Sequence, residues 1–397
     1  MEKLYRTFDL KLNASKSNFR RYLYNDIDWN ERLISLTGAR GVGKTTLLLQ
    51  HIKENFKINE ETLFVSLDDV YFTGNTLIDL AENFYTKGGR HLFLDEVHKY
   101  PTWSKEIKNI YDTYPELKIV FTGSSILEIY KGAADLSRRA VSFKLKGLSF
   151  REYLKLKHKI SFDKIEFKEI IENHTELTDI ITKEIHPLKY FKGYLESGYY
   201  PYFVEGEKFY SQKVNNTLNL ILETDLPSVI GLSYTNIYKI KKLLYILSTT
   251  SPYKPNITKL SSQLEPNRAP ILQFLDFLKR SDILHLLKGI TKGDSILTKP
   301  DKVYLENSNL IYALAHENPN IGTVRETFFM NQLSHSHFVS TPKNGDFMVD
   351  EKFTFEIGGK NKNADQIKDI KNAFVAADDI ETGYENKIPL WLFGFLY

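Results

Sequence analysis

The chain has 397 residues, a length that corresponds to two or three domains of ordinary size. Hydrophobic residues make up 42% and charged residues 26%, which excludes a disordered or fibrous chain. The absence of cysteine excludes disulfides, thiolate zinc sites, iron–sulfur clusters and cysteine nucleophiles, and the net charge of +3 does not support a chain-wide polyanion-binding tail.

Targeting and membrane signals are weak in this sequence. Residues 1–6 lack the apolar run typical of a signal peptide. The longest apolar runs, such as residues 390–396, are far shorter than the ~20 residues that a membrane span needs. We therefore expect a cytoplasmic protein that does not contact a membrane.

Residues 33–145 alternate short apolar runs with helical stretches, a pattern that predicts an α/β domain with a parallel sheet and helices on both faces. The predicted strands are 33–37, 63–67, 91–94, 119–122 and 141–145. The predicted domains are a lead-in at 1–30, the α/β domain at 31–155, a helical region at 156–236, a winged-helix-like region at 237–305 and a small α+β domain at 306–397.

A glycine-rich loop separates the first predicted strand from a predicted helix. It has the pattern G-x-x-x-x-G-K-T and consists of Gly38, Ala39, Arg40, Gly41, Val42, Gly43, Lys44 and Thr45, with Thr46 opening the helix. The curled backbone and the helix N-terminus can bind phosphates. Lys44 would bridge the β- and γ-phosphates and Thr45 would bind Mg²⁺. In this strand–loop–helix context the motif predicts a site for ATP with Mg²⁺.

Two acids follow the third predicted strand. Asp95 is placed to hold Mg²⁺, and Glu96 to orient or deprotonate an attacking water. The alternative is a turn with solvated acids, which the phosphate loop makes the weaker interpretation. On the next strand, Thr122 or Ser124 could sense the γ-phosphate, and a capping role is equally compatible with either residue.

Residues 131–160 contain nine basic and two acidic residues. Arg138 and Arg139 follow the sensor strand, and one of them could act as an arginine finger in cis or toward a neighbouring subunit of a homo-oligomer. The alternative is a solvated basic loop.

These motifs, taken in order, resemble those of the prokaryotic AAA-type ATPases that carry a C-terminal domain of unknown function. The resemblance rests on residues 38–45, 94–101 with Trp103, 122–125, 136–139 and 148–154. It implies a P-loop ATPase core, a helical and winged-helix middle and a restriction-endonuclease-like C-terminal fold. The family usually has Gly-Arg where this chain has Arg138-Arg139, which leaves open which arginine acts.

The predicted winged helix could dock in a DNA groove. Its predicted elements are helices at 238–247, 257–264 and from 269, a strand at 283–290, a wing turn at 291–294 and a return strand at 295–298. Residues 235–302 contain twelve basic and five acidic residues, but the third helix offers mainly Gln273, Lys279 and Arg280 to a base edge. The alternative is a packing or protein-docking module.

The C-terminal region predicts a helix around Glu326, Asp346 before a strand, Glu356 on that strand, Lys360, a helix opened by Gln366 and a last apolar strand. The three acids have the layout of a nuclease metal site, but Gly358 occupies the position of the usual lysine. This favours a degenerate nuclease fold serving as a scaffold or sensor.

Two functions follow from the sequence. The first is an ATP hydrolase of the AAA type that acts on or near DNA, with Mg²⁺ as cofactor. The second is an ATP-gated switch or scaffold that regulates a protein partner without nucleic acid.

Overall fold

The computed structural model describes residues 1–16, 18–57, 60–125, 136–249, 254, 260, 264, 268–289, 299–315 and 319–397, with no side chains described at 268 and 269. The chain divides into two compact units, residues 1–147 and residues 148–397. The sequence predicted the corresponding boundary at residue 155.

The first unit is an α/β domain around a five-stranded sheet. Its helices are α1 (Glu2–Ala14), α2 (Lys44–Asn55), α3 (Leu77–Thr86) and α4 (Trp103–Thr113), and its strands are β1 (Leu33–Gly38), β2 (Thr62–Ser66), β3 (His91–Asp95), β4 (Lys118–Ser124) and β5 (Val141–Lys144). The strand order is β2-β3-β4-β1-β5, and every pairing is parallel. The predicted parallel α/β fold is confirmed.

Both faces of this sheet are covered because the side chains of each strand alternate between them. On β3, Leu92 and Leu94 pack in one apolar cluster with residues of α3 and α4. Phe93, between them, points the other way and lies 6.2 Å from the ring of His51 on α2. Burial on two faces explains why the strands appear in the sequence as short apolar runs.

The sheet order brings the carboxyl ends of three strands together. β4 lies between β1 and β3, with Gly38 opposite Ser124 and Leu94 opposite Phe121. Ligands of open parallel sheets bind beyond the carboxyl ends of the strands. The phosphate loop after β1 and the acids after β3 therefore share one edge of the sheet.

The second unit contains a mixed sheet, a two-stranded sheet and many helices. Its helices are α5 (Phe150–Tyr153), α6 (Phe167–Glu184), α7 (Pro187–Ser197), α8 (Tyr210–Leu220), α9 (Leu226–Ile230), α10 (Tyr234–Thr249), α11 (Arg268–Arg280), α12 (Ser308–Leu314) and α13 (Ile321–Leu333). Its strands are β6 (Leu284–Leu287), β7 (Lys302–Leu305), β8 (Val339–Ser340), β9 (Phe347–Val349), β10 (Phe353–Gly358), β11 (Ala373–Ala377) and β12 (Lys387–Pro389). The larger sheet has the order β12-β11-β10-β9-β8.

Part of the predicted winged helix lies outside the described residues. The helix 257–264 is described only at 260 and 264, and the wing turn 291–294 and return strand 295–298 are not described. The antiparallel partner of β6 is β7, a strand that the sequence analysis did not predict. All four residues of β7 are buried. The winged-helix assignment stays a prediction.

Two C-terminal predictions were wrong. Residues 365–369 form turns, so Gln366 opens no helix. The last apolar run is a 3₁₀ helix, Leu390–Phe395, which follows the short strand β12. Pro389 ends that strand, because proline has no N–H to donate to a sheet. No helix of the described residues has both the length and the apolar character that crossing a membrane requires.

Candidate nucleotide site

The phosphate loop depends on glycine at three positions. Gly41 and Gly43 have φ values of 84° and 100°, in the left-handed region that favours glycine. Gly38 is required for a second reason, because a Cβ there would lie 2.2 Å from the carbonyl oxygen of Leu145. The chain after β5 thus presses directly against the start of the loop.

Lys44 lies beneath this loop and is 5% exposed. Its Nζ donates to the carbonyl oxygens of Gly38 at 2.9 Å and Ala39 at 3.0 Å. Helix α2 begins after Gly43, which has no side chain to cap the first turn. Backbone N–H groups at that turn therefore suit an anion, and the buried ammonium adds positive charge beside them. The residues present fit a phosphate group.

Asp95 and Thr45 form the second part of the site. The hydroxyl of Thr45 donates to both carboxylate oxygens of Asp95, at 3.1 and 2.9 Å, and the hydroxyl of Thr122 donates to one of them. Burial raises the pKa of Asp95, opposed by the Thr122 hydrogen bond, and the charge of Glu96 raises it further. A divalent cation would relieve this burial cost, so an oxygen pair of this kind fits Mg²⁺.

Glu96 lies beside the same loop. Its backbone has φ 54°, and its N–H donates to the hydroxyl of Thr122 at 3.2 Å. Its Oε2 is 3.7 Å from Nη1 of Arg40 in the phosphate loop and 3.5 Å from Nε2 of His98. The side chain is 20% exposed, although Oε2 itself is buried. The carboxylate can therefore meet both the loop and a water molecule.

The two predicted sensor residues occupy different positions. Thr122 is fully buried. Its hydroxyl donates to Asp95 and accepts a hydrogen bond from the backbone N–H of Glu96. Ser124 pairs with Gly38 in the sheet register and is therefore adjacent to the phosphate loop. This geometry favours Thr122 as a support for the acids and Ser124 as the residue nearer a bound phosphate.

The two candidate finger arginines also differ. Arg139 donates to both carboxylate oxygens of Asp112, at 3.0 and 2.9 Å. Arg138 is exposed and has no side-chain partner among the described residues. Arg139 is thus fixed to the end of α4, whereas Arg138 can reach outward.

A comparison with protein families finds a family whose model matches most of the first unit. Residues 30–154 match the model of a family described as an AAA domain. This matching segment is called the AAA domain here. The match agrees with the resemblance seen in the sequence motifs.

The relatives that match most of the chain do not indicate a function for it. The chain is 26% identical over 408 residues to the uncharacterized protein MJ1637 of Methanocaldococcus jannaschii, covering 94% of this chain and 84% of that protein. It is 24% identical over 350 residues to MJ1544 of the same organism, covering 83% and 73%. Both relatives are described only as uncharacterized proteins.

Among solved structures, the chain is similar to AMPPCP-bound DnaA from Aquifex aeolicus, with a TM-score of 0.28, 16% identity and coverage of 65% and 84% of the two chains. It is also similar to ORC1 of Aeropyrum pernix in complex with DNA, with a TM-score of 0.31, 11% identity and coverage of 80% and 92%. TM-scores this low support no transfer of function.

The AAA domain also uses a residue that the motifs did not reveal. Arg21, in the segment before β1, is 7% exposed. Its guanidinium donates to the carbonyl oxygen of Val42 in the phosphate loop, and to those of Lys146 at 2.7 Å and Gly147 at 2.9 Å. Arg21 thus ties the loop to the segment that follows β5.

The predicted nuclease-like acids of the second unit, Glu326, Asp346 and Glu356, lie close to one another. The lysines that pair with them are not the predicted Lys360. Lys302 Nζ lies 3.8 Å from Glu326 Oε2 and 3.3 Å from Asp346 Oδ1, between the two acids. Lys362 Nζ is 2.6 Å from Glu356 Oε1. No group of three or more metal-ligating side chains suited to a metal ion occurs in the described part of the chain.

The predicted Lys360 does not reach the acids. It is exposed, whereas Lys362 folds back over the strand end. A Cβ at Gly358 would lie 2.6 Å from the Cβ of Lys362, so the aliphatic part of Lys362 fills the space that a side chain at Gly358 would occupy. The missing side chain at this position explains why the later lysine pairs with Glu356.

The buried lysine of this cluster should matter for stability. Burial raises the pKa of Glu326, as does the charge of Asp346, while the hydrogen bond from Tyr304 and the charge of Lys302 lower it. Lys302→Met should lower the free energy of unfolding by roughly 2 kcal/mol, because it leaves the buried carboxylate of Glu326 and the half-buried one of Asp346 without their cation. A carboxyl whose pKa is higher in the folded state stabilises the fold less as the pH rises. The loss should therefore be larger at pH 8 than at pH 5.5.

Urea unfolding at both pH values tests this expectation. Lys360→Met is the matched control, because it removes the exposed lysine close to the same strand and should change stability by less than about 0.5 kcal/mol. Equal losses from the two variants, or a loss from Lys302→Met that does not depend on pH, would contradict this account of the cluster.

Proposed function

We propose that the chain is a Mg²⁺-dependent ATP hydrolase of the AAA type. The observation that carries this proposal is the position of two acids at the end of β3, beside the phosphate loop. The hydroxyl of Thr45 is 2.9 Å from Asp95, and Arg40 is 3.7 Å from Glu96. One acid is thus available for a cation and the other for water, an arrangement that hydrolysis needs and simple binding does not.

Each residue of the site has a role in this proposal. The loop N–H groups and Lys44 bind the β- and γ-phosphates, and Thr45 and Asp95 hold Mg²⁺, which neutralises phosphate charge when it is bound. Glu96 accepts a proton from the water that attacks the γ-phosphorus. The bond between the γ-phosphorus and the bridging oxygen breaks, giving ADP and inorganic phosphate. Ser124 contacts the γ-phosphate.

We also propose that the protein acts on or near DNA. This action is supported by the excess of basic residues at 235–302 and by the exposure of Gln273 and Lys279 on α11. Arg280 contributes less, because it pairs with Asp276 at 2.9 Å. The near-neutral charge of the whole chain supports the alternative, a nucleotide-gated switch for a protein partner.

Steady-state ATP turnover distinguishes these functions. We expect turnover in Mg²⁺ that EDTA abolishes, and a several-fold rise when single- or double-stranded DNA is added. Retention on heparin should then fall steeply with salt, as phosphate contacts require. Slow turnover that DNA does not change would instead favour the switch. Absence of turnover under all these conditions would contradict the hydrolase.

We further propose that Arg138 acts on the site of a neighbouring subunit. Arg138→Ala should lower turnover at least about tenfold, because the finger stabilises charge in the transition state. Mixing Arg138→Ala with Glu96→Gln should raise activity above that of either variant alone, since each variant supplies what the other lacks. Arg139→Ala is the control for the neighbouring arginine and should mainly affect stability. Full activity of Arg138→Ala, or mixtures that stay inactive, would contradict a finger acting between subunits.

A further inference from the structure

A buried histidine lies between the sensor strand and Glu96. His98 belongs to a 3₁₀ turn, Val97–Lys99, that follows β3, and its side chain is 0% exposed. The backbone N–H of Ser124, at the end of β4, donates to Nδ1 of His98 at 3.5 Å. On the other side of the ring, Nε2 is 3.5 Å from Oε2 of Glu96.

Only one tautomer of a neutral imidazole can accept the hydrogen bond from Ser124. A backbone N–H can only donate, so Nδ1 of His98 accepts with its lone pair. A neutral imidazole with an unprotonated Nδ1 carries its hydrogen on Nε2. In this tautomer the N–H lies on the side of the Glu96 carboxylate.

Glu96 needs such a donor. Its Oε2 is buried and has no hydrogen-bond partner among the described residues. A buried carboxylate oxygen without a partner is costly, and catalytic hydrogen bonds that are long in an empty site shorten when substrate binds. Arg40 offers charge at 3.7 Å, whereas His98 lies on the 3₁₀ turn that directly follows Glu96.

We propose that His98 is a positioning residue for Glu96. Its Nε2–H holds Oε2 of the carboxylate and leaves the rest of the group for the attacking water. The same ring links Glu96 to the amide of Ser124, so a phosphate that contacts the end of β4 and the acid that activates water are aligned through one side chain. This inference rests on the proposed hydrolase function.

Three single variants and one double variant test the role. His98→Ala should lower kcat at least about tenfold and leave the Kd for ATP within about twofold, because only the orientation of Glu96 changes. His98→Gln keeps an N–H donor and should recover kcat to within about threefold of the wild type. His91→Gln, at the opposite end of β3, is the matched control and should leave kcat unchanged. In a Glu96→Gln background, His98→Ala should cause no further loss.

Imidazole ¹⁵N NMR provides a readout that does not depend on turnover. The His98 signal, assigned by its loss in His98→Gln, should show a neutral ring protonated at Nε2 only. A ring protonated at Nδ1, or His98→Ala with wild-type kcat beside an inactive Glu96→Gln, would overturn the inference. If His98→Ala does not fold, a kcat in His98→Gln as low as that of Glu96→Gln would overturn it. Normal turnover in Glu96→Gln would overturn the inference as well, because Glu96 would then have no role to position. Absence of turnover in the wild type would instead contradict the proposed function and leave the tautomer result standing.

Discussion

Glu96→Gln should lower steady-state ATP turnover about 10²- to 10³-fold while the Kd for ATP stays within about twofold. Glutamine has the size of glutamate but cannot accept the proton of the attacking water, and general-base catalysis contributes this order of rate. The hydrogen bond that fixes residue 96 to Thr122 comes from the backbone, so the substitution leaves it in place. The lost charge contact with Arg40 is long and partly exposed, so it should cost little.

Turnover by phosphate release and affinity by calorimetry would measure both quantities. Glu116→Gln is a matched control, because it makes the same chemical change at an exposed residue of the AAA domain that pairs with Arg90. It should keep wild-type kcat and Kd. Wild-type turnover in Glu96→Gln would remove Glu96 from the proposed mechanism.

Lys44→Ala should weaken ATP binding at least about 100-fold. The variant removes the ammonium that would meet the β- and γ-phosphates, and charge-assisted contacts of this kind are worth several kcal/mol in a buried site. It also leaves the carbonyl oxygens of Gly38 and Ala39 without the donor that now binds them. Binding and the shape of the loop are therefore affected together.

Calorimetry with MgATP would measure the affinity, and thermal unfolding would separate the two effects. The wild type should gain thermal stability from MgATP, whereas Lys44→Ala should not. Lys53→Ala is the control, since Lys53 lies on the same helix but is exposed and bonds to the carbonyl oxygen of Ser15. Tight ATP binding by Lys44→Ala, together with normal turnover in Glu96→Gln, would refute the whole site assignment.

Sequence reasoning located the parts of the site that are local in the chain. The phosphate loop is one continuous motif, and Asp95 and Glu96 are adjacent at the end of one apolar run. Strands that are buried on both faces are visible as such runs, so the sheet could be predicted as well.

The remaining residues depend on which segments the fold brings together. His98 meets the amide of Ser124 because β4 lies beside β3, and Lys302 meets Asp346 across 44 residues of sequence. The sequence analysis selected Lys360 as the lysine of the acid cluster because of its spacing from Glu356. In the structure, the side chain of Lys362 occupies the space beside Gly358 instead. The spacing of residues in a single sequence does not reveal these contacts, because they arise from packing between distant elements.

The hydrogen bonds of Arg21 indicate that the AAA domain folds together with residues that precede the family match. The family match starts at residue 30, yet a buried guanidinium upstream supports the phosphate loop, and Leu4 and Phe8 of α1 are buried in the same unit. A fragment that started at residue 31 would keep every residue of the nucleotide motif and lose the anchor that holds its loop in shape. We therefore expect the nucleotide affinity to depend on the first 147 residues together, and folding of the N-terminal segment and ATP binding should stabilise each other.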